Sequence, residues 1–325
     1  MHITVPKPFY YYSAGITIVG GAYLLRDYII RSEYETEENV KDKVIIVTGS
    51  NTGIGKEIVR NLATRQAKVI MACRDMVKCE EARIEIVLQT QNKYIYCRKC
   101  DLASQESIRN FVNQFKEEHS KLHVLINNAG VMRCKKSYTK EGIEMQLGVN
   151  HMGHFLLTNL LLEVLKNTAP ARIVNVSSAA HAGGKIKLED LNSAEKYDPA
   201  KAYSQSKLAN VLFTRELANR LKGTGVTVNA VHPGIVNTEI VRHMGFSQNY
   251  FSRLFARVFL WLFVKSPKQG AQPVLYAALD SSLNDVTGAY ISNCRIVDPS
   301  KEAKNDEVAK WLWAVSEKWT KLSII

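Results

Sequence analysis

Cysteine is scarce in this chain, with six in 325 residues, at 73, 79, 97, 100, 134 and 294. Their scatter offers no disulfide framework, and all six are expected to be reduced structural thiols. Cys97 and Cys100 have a ligand-like spacing, but no second pair or nearby His completes a metal site, so no metal is expected. There is no zinc finger, no RNA-recognition motif and no tight block of Lys and Arg. The net charge of +12 is therefore assigned to a membrane surface and an anionic cofactor, not to nucleic acid. Internal repeats and low-complexity segments are absent as well. What is left is an ordinary globular composition, 46% apolar and 23% charged, long enough for one large α/β domain or two small ones.

Charge is missing altogether from residues 9–25, and Tyr28-Ile29-Ile30 extends the apolar run beyond Arg26 and Asp27. A spanning helix needs about 20 apolar residues, so this run is marginal, and Gly15, Gly20 and Gly21 weaken it. No small-x-small site marks it as a cleaved signal peptide. Residues 1–42 read as a membrane anchor with an acidic linker over 33–38. More cations follow the run (Arg26, Arg31, Lys41, Lys43) than precede it, which places the rest of the chain on the cytosolic or equivalent side. Residues 43–300 then form the main domain and 301–325 a helical tail.

From Lys43 onward, short β-branched runs alternate with long amphipathic stretches. Strands are expected at 44–47, 68–73, 94–100, 123–127, 172–177, 226–231 and 289–292, and helices at 55–66, 76–91, 105–120, 142–167, 200–222 and 267–279. This alternation specifies an α/β fold, a doubly wound parallel sheet of about seven strands with helices on both faces. Ligands of such sheets bind at the carboxyl edge, where the strand order reverses.

The first strand runs directly into Thr48-Gly49-Ser50-Asn51-Thr52-Gly53-Ile54-Gly55. Gly49 and Gly53 let the backbone turn sharply and approach a pyrophosphate, and Gly55 lets the next helix pack closely on the strand. That helix would offer its unpaired N–H groups and positive dipole end to the phosphate. The second strand ends Cys73-Arg74-Asp75, where an NAD enzyme usually carries a ribose-binding acid. Arg74 can pair with a ribose 2′-phosphate, which points to NADP(H); in the competing reading Asp75 binds ribose and Arg74 is solvated. Asp101-Leu102 could set a carboxylate near the adenine amine, or cap a helix, since Ser104 and Glu106 follow. Asn127-Asn128-Ala129-Gly130 ends the fourth strand with small residues beside the adenosine ribose and amides that tie neighbouring strands.

Two Tyr-x-x-x-Lys spacings occur, Tyr197 with Lys201 and Tyr203 with Lys207. Only residues four apart on a helix share a face, and Pro199 interrupts the first pair. Tyr203 and Lys207 are therefore the proton-transfer candidates. A phenol with a pKa near 10 needs help at neutral pH, and the Lys207 ammonium one turn away would favour its ionised form. Ser177 and Ser178 close the fifth strand with hydroxyls on opposite faces, and either could bond a substrate oxygen. Asn150, within the long helix, is a capping or packing residue on its own. His151 and His154 have no third ligand and read as structural.

In this order, the glycine run, Asn127–Gly130, Asn150, the serine, Tyr203, Lys207 and Pro233-Gly234 resemble the short-chain dehydrogenase/reductase family over about residues 43–295. Ala72-Cys73-Arg74-Asp75, the 148–155 run around Asn150, Ser206-Lys207-Leu208-Ala209-Asn210 and His232-Pro233-Gly234 resemble its membrane-bound retinol dehydrogenases. The resemblance implies a Rossmann fold and selects Ser178 as the serine that binds the substrate oxygen. It implies that Asn150 orders a relay water to Lys207, that Pro233, Gly234 and Ile235 contact the nicotinamide, and that Thr238 contacts a phosphate. The activity implied is NADP(H)-dependent interconversion of retinal and retinol, or of a related lipophilic aldehyde or ketone and its alcohol. A steroid or lipid carbonyl reductase, or an idle NADP-binding membrane scaffold, is the alternative. The implied setting is an endoplasmic reticulum or mitochondrial membrane, and self-association into a homo-oligomer is compatible with the sequence. The apolar stretch 251–265 is expected to be a substrate lid meeting the membrane, a core helix or a dimer contact.

Overall fold

Strand β1 (Val44–Thr48) is buried at all five positions, and its side chains alternate between two different cores. Ile45 and Val47 join one hydrophobic cluster while Val44 and Ile46 join the other, as expected for a strand covered on both faces. The computed structural model describes residues 38–236 and 264–322, together with Tyr34 and positions 12, 16, 17, 19–24 and 26. After β1 come α1 (Gly53–Thr64), β2 (Lys68–Cys73), α2 (Met76–Thr90), β3 (Ile95–Lys99), α3 (Gln105–Glu118) and β4 (Val124–Asn127). A short turn Met145–Leu147 and a π-helical turn Gly148–Met152 lead into α4 (Gly153–Thr168). There follow β5 (Ala171–Val176), α5 (Pro199–Arg220), β6 (Val226–His232), α6 (Pro267–Leu279), β7 (Tyr290–Ser292), β8 (Arg295–Val297) and α7 (Asp306–Thr320).

The sheet order is β3-β2-β1-β4-β5-β6-β7-β8, with every pairing parallel except β7 with β8. Helices α1, α2 and α6 contribute to the core on one face, and α3, α4 and α5 to the core on the other. The chain runs outward from β1 to β3 and then returns to β4 beside β1. The resulting crevice lies at the carboxyl ends of β1 and β4. The sheet thus has the seven expected strands and one more, eight in all. The extra one is a three-residue exposed edge, reached through Asn293 and Cys294, both at positive φ (50° and 55°), as a two-residue hairpin turn requires.

Two expectations are corrected. The helix drawn over 142–167 is divided by the π turn, where Gly148 lies so close to Thr139 that a Cβ would sit 2.2 Å from its methyl carbon. The cysteines are not all reduced: Cys79 on α2 is bonded to Cys97 on β3, with Cα atoms 6.0 Å apart. Sequence spacing gave no hint of this pairing, because packing of α2 over the sheet is what sets Cys79 beside Cys97.

Helix α7 closes the second core. Trp313 is buried and packs edge-on against Phe155 at 4.9 Å, with the Arg220 guanidinium 4.1 Å from its ring centre. Most of the N-terminal anchor lies outside the described residues. Among the described residues no helix is long and apolar enough to cross a membrane. Thr238 and nearly all of 251–265 also lie outside the described residues.

Candidate active site

Several segments converge on the crevice. The glycine run turns sharply off β1: Gly49 and Gly53 take φ values of +60° and +55°, which only glycine adopts without strain. A Cβ on Gly49 would lie 2.8 Å from the Ala129 Cα, and one on Gly55 would lie 2.4 Å from the Gly49 carbonyl oxygen. The bare backbone so exposed leads into α1, which has no side-chain cap bonded at its N-terminus and no acid in its first turn. Such a concavity fits a pyrophosphate and would reject side chains. Ser50 is buried against Cys73, with Oγ and Sγ 3.4 Å apart.

Asn128 donates its side-chain amide to the Thr48 and Gly49 carbonyls at 2.9 and 3.2 Å, so the 127–130 turn and the glycine run form one unit. Asn127 instead donates to Thr158 and Asn175, tying β4 to α4 and β5. Thr48 is a hub the sequence did not reveal. Its hydroxyl accepts the Asn128 and Ala129 N–H groups, each at 2.9 Å, and meets His154 Nε2 at 2.9 Å. His154 Nδ1 faces the Asn150 carbonyl at 3.0 Å, so it must carry the proton. Nε2 therefore accepts from the Thr48 hydroxyl. Burial pushes His154 down to about 4 and keeps it neutral. His151 takes another course and bonds Ser316 of α7 at 2.9 Å.

At the end of β2, Arg74 is exposed, and Lys99 donates to its carbonyl. Asp75 is occupied as the N-cap of α2, accepting the Lys78 N–H at 3.1 Å. Asp101 accepts the Ala103 N–H at 3.0 Å while Ser104 caps α3, so the cap and the candidate adenine contact are different residues. Leu102 is buried, its carbonyl against Gly153.

Asp198 caps α5 and Pro199 occupies its first turn, so Tyr197 stands outside the helix and cannot share a face with Lys201. Tyr203 and Lys207 lie within α5, with Lys207 Nζ 5.8 Å from the centre of the Tyr203 ring. Nζ donates to the Val176 carbonyl at 3.0 Å, and burial lowers Lys207 to about 8. Strand alternation separates the two serines: the Ser177 hydroxyl turns away to the Lys207 carbonyl at 2.8 Å, whereas the Ser178 hydroxyl faces Tyr203. Burial raises the Tyr203 phenol, opposed by the Ser178 hydroxyl and by the Arg133 guanidinium. The expected help from Lys207 is therefore not the leading local influence. Arg133, whose φ is +50°, went unnoticed in the sequence because it belongs to a loop with no motif.

Asn150 sits in the π turn and is fully buried. Its amide nitrogen donates to the Val131 carbonyl and to Ser206 Oγ, both at 2.9 Å, while Oδ1 accepts the Val131 N–H at 2.8 Å. The side chain thus holds the loop segment following Gly130, and Oδ1 and Lys207 Nζ both face the spot where a Gly130 Cβ would stand, at 3.3 and 3.5 Å. Beyond β6, Pro233 is buried, Gly234 takes φ +93° against the Lys265 stem, and Ile235 is half exposed.

A glycine-lined crevice at the carboxyl edge, with Asn150, Ser178, Tyr203 and Lys207 gathered beside it, has the chemistry expected of an oxidoreductase. The short chain dehydrogenase family model matches residues 43–248, and the chain belongs to that family. It is 50% identical over 301 residues to human (Homo sapiens) retinol dehydrogenase 13, covering 92% of this chain and 91% of the relative. It is 50% identical over 292 residues to human retinol dehydrogenase 12, covering 90% of each. An uncharacterized protein from Mycobacterium paratuberculosis superposes with a TM-score of 0.70 at 37% identity, over 87% of this chain and 95% of that one. RhlG of Pseudomonas aeruginosa, solved as an NADP active-site complex, shares the fold with a TM-score of 0.62 at 24% identity, over 78% of this chain and 95% of that one.

Proposed function

We propose that this chain is an NADP(H)-dependent oxidoreductase that interconverts retinal and retinol, or a related lipophilic aldehyde or ketone and its alcohol. The observation that carries the reaction is the grouping of Tyr203, Ser178 and Lys207 beside Gly130 and the glycine cradle. The nicotinamide cofactor, when bound, supplies or accepts the hydride. Residues 49–55, Asn128, Ala129 and Gly130 would hold its phosphates and adenosine ribose, with Asp101 and Leu102 near the adenine. Pro233, Gly234, Ile235 and Thr238 would hold its nicotinamide end.

Ser178 receives the Ala180 N–H on Oγ at 3.2 Å and so keeps its own proton to donate to a carbonyl oxygen. Tyr203 gives the proton in reduction and takes it back in oxidation. Lys207 and Arg133 supply positive charge around the phenol, and Asn150 holds the loop against which Lys207 is set and orders the relay water. NADP(H) is favoured over NAD(H) because the Asp75 carboxylate is committed to capping α2, leaving Arg74 as the exposed charge at the ribose.

The retinoid substrate is supported by the two retinol dehydrogenase relatives. A membrane setting, in the endoplasmic reticulum or a mitochondrion, is supported by the exposure of Tyr12, Ile16, Val19, Tyr23 and Leu24 in helical backbone. The placement of the main domain on the cytosolic or equivalent side is supported by the cations that follow the apolar run.

The test is NADPH oxidation by the full chain against all-trans-retinal, steroid ketones and lipid aldehydes, repeated with NADH. Arg74→Ala should cost about 2 kcal/mol of NADPH binding, some 30-fold in KM, and leave NADH unchanged. An unaltered NADPH/NADH ratio rejects the cofactor assignment, and turnover of steroids alone rejects the retinoid.

A further inference from the structure

Between the serine and the nicotinamide loop lie two imidazoles that the proposed chemistry does not use. His181 belongs to the 3-10 turn Ala179–Gly183, which Ser178 caps with its own hydroxyl. Its backbone N–H and its Nδ1 both reach the Ser178 carbonyl, at 3.0 and 2.8 Å. Because a carbonyl only accepts, Nδ1 carries the proton and Nε2 is the acceptor. Nε2 takes the Ser300 N–H at 3.1 Å, and the ring packs on Tyr290 at 4.6 Å. His232 ends β6. Its Nδ1 accepts two backbone N–H groups, from Ala179 at 3.2 Å and from Gly234 at 3.4 Å.

We infer that His181 and His232 are positioning residues that clamp the Ser178 turn, His181 to the segment at Ser300 and His232 to the nicotinamide loop at Gly234. The inference rests on Ser178 being the oxygen-binding serine. Its logic is geometric. The Ala180 N–H holds Ser178 Oγ in place and leaves its proton free to be presented to a carbonyl oxygen. That bond exists only while residues 178–181 keep their tight turn. A five-residue 3-10 turn with no helix behind it has little stability of its own, and the two side chains supply three of the hydrogen bonds that fix it. His232 also sets the distance between the serine and the loop that would carry the nicotinamide, because one nitrogen lone pair faces both. Burial keeps both rings neutral, His232 at about 4 and His181 below its ordinary value, as an accepting nitrogen requires.

The experiment is a double-mutant cycle in the full chain, with NADPH oxidation by retinal as the rate and NADPH affinity measured by fluorescence titration. His181→Ala is expected to lower kcat 10- to 100-fold while leaving KM and NADPH affinity within about threefold. In a Ser178→Ala background the same change should cost less than threefold, because the serine it serves is gone. Equal costs in both backgrounds overturn the proposal. His232→Asn, whose Oδ1 can stand where Nδ1 stood, should recover most of the rate lost in His232→Leu; equal loss in the two variants overturns the role of His232. Amide exchange provides an arm independent of turnover. The peptide covering 177–183 should exchange faster in His181→Ala while β1 and β4 do not change, and unchanged exchange overturns the clamp. Absence of turnover in the unmodified chain with every carbonyl tested would count against the proposed function, and exchange alone would then decide the clamp.

Discussion

The Gly55 α-carbon is lodged against the Gly49 carbonyl so closely that a Cβ would stand 2.4 Å from that oxygen and 2.6 Å from Asn128 Nδ2. Neither neighbour can yield, because Gly49 is held by the Ala72 carbonyl and Asn128 by Thr48. Gly55→Ala should therefore cost about 3 kcal/mol of stability and abolish NADPH binding. Thermal unfolding with and without NADPH checks this, and a normal cofactor-induced rise in Tm would contradict it.

Tyr203→Phe removes the proton donor and leaves the glycine cradle intact. Turnover should fall roughly a thousandfold with NADPH affinity within twofold, measured by single-turnover kinetics and fluorescence titration. A residual rate above a tenth of normal would remove Tyr203 from the mechanism.

Lys207 is pushed by burial from an ordinary 10.5 down to about 8. Between those values the unfolded chain binds more protons than the native one, so this group makes stability rise with pH from about 8 to 10.5. The gain is complete above 10.5 and lost as pH falls through about 8. Its size is of order 3 kcal/mol. Urea unfolding of the cofactor-free protein at pH 8, 9 and 10 should show a smaller upward trend in Lys207→Met than in the unmodified chain. Parallel trends would disprove the burial effect. For activity the sign is opposite, because the positive charge beside Tyr203 disappears above pH 8.

Thiol counting tests the bridge. The denatured, unreduced protein should show four reactive cysteines, at 73, 100, 134 and 294, and six after reduction. Six before reduction would return Cys79 and Cys97 to the thiol state.

The parallel sheet and the sharp glycine turn after its first strand were legible in the chain because both depend on local pattern. Apolar runs such as Val44-Ile45-Ile46-Val47 mark doubly covered strands, and positive-φ positions demand glycine at 49 and 53. The choice of Tyr203 over Tyr197 followed from one proline. What could not be read were contacts made by packing: Cys79 over Cys97, His154 bonded to Thr48 across 106 residues, and Ser300 donating to His181 across 119. The short strand β8 was missed because three exposed residues have no buried face to leave a pattern. Asn150 looked like an interior helix residue since the break around it lies in backbone geometry, not in side-chain period.

That break has a consequence for any engineering of the chain. A π turn is in effect one residue inserted into an α-helix, so deleting any one residue of 148–152 would let the helix run on regularly. The residues downstream would keep their phase, because the wide turn already absorbs the spare residue, and Phe155, Leu161 and Leu165 would stay in the core they now fill. The spare residue that aims Asn150 is thus separable from the packing of the helix after it, so one deletion there would strip the site of a side chain while sparing the fold.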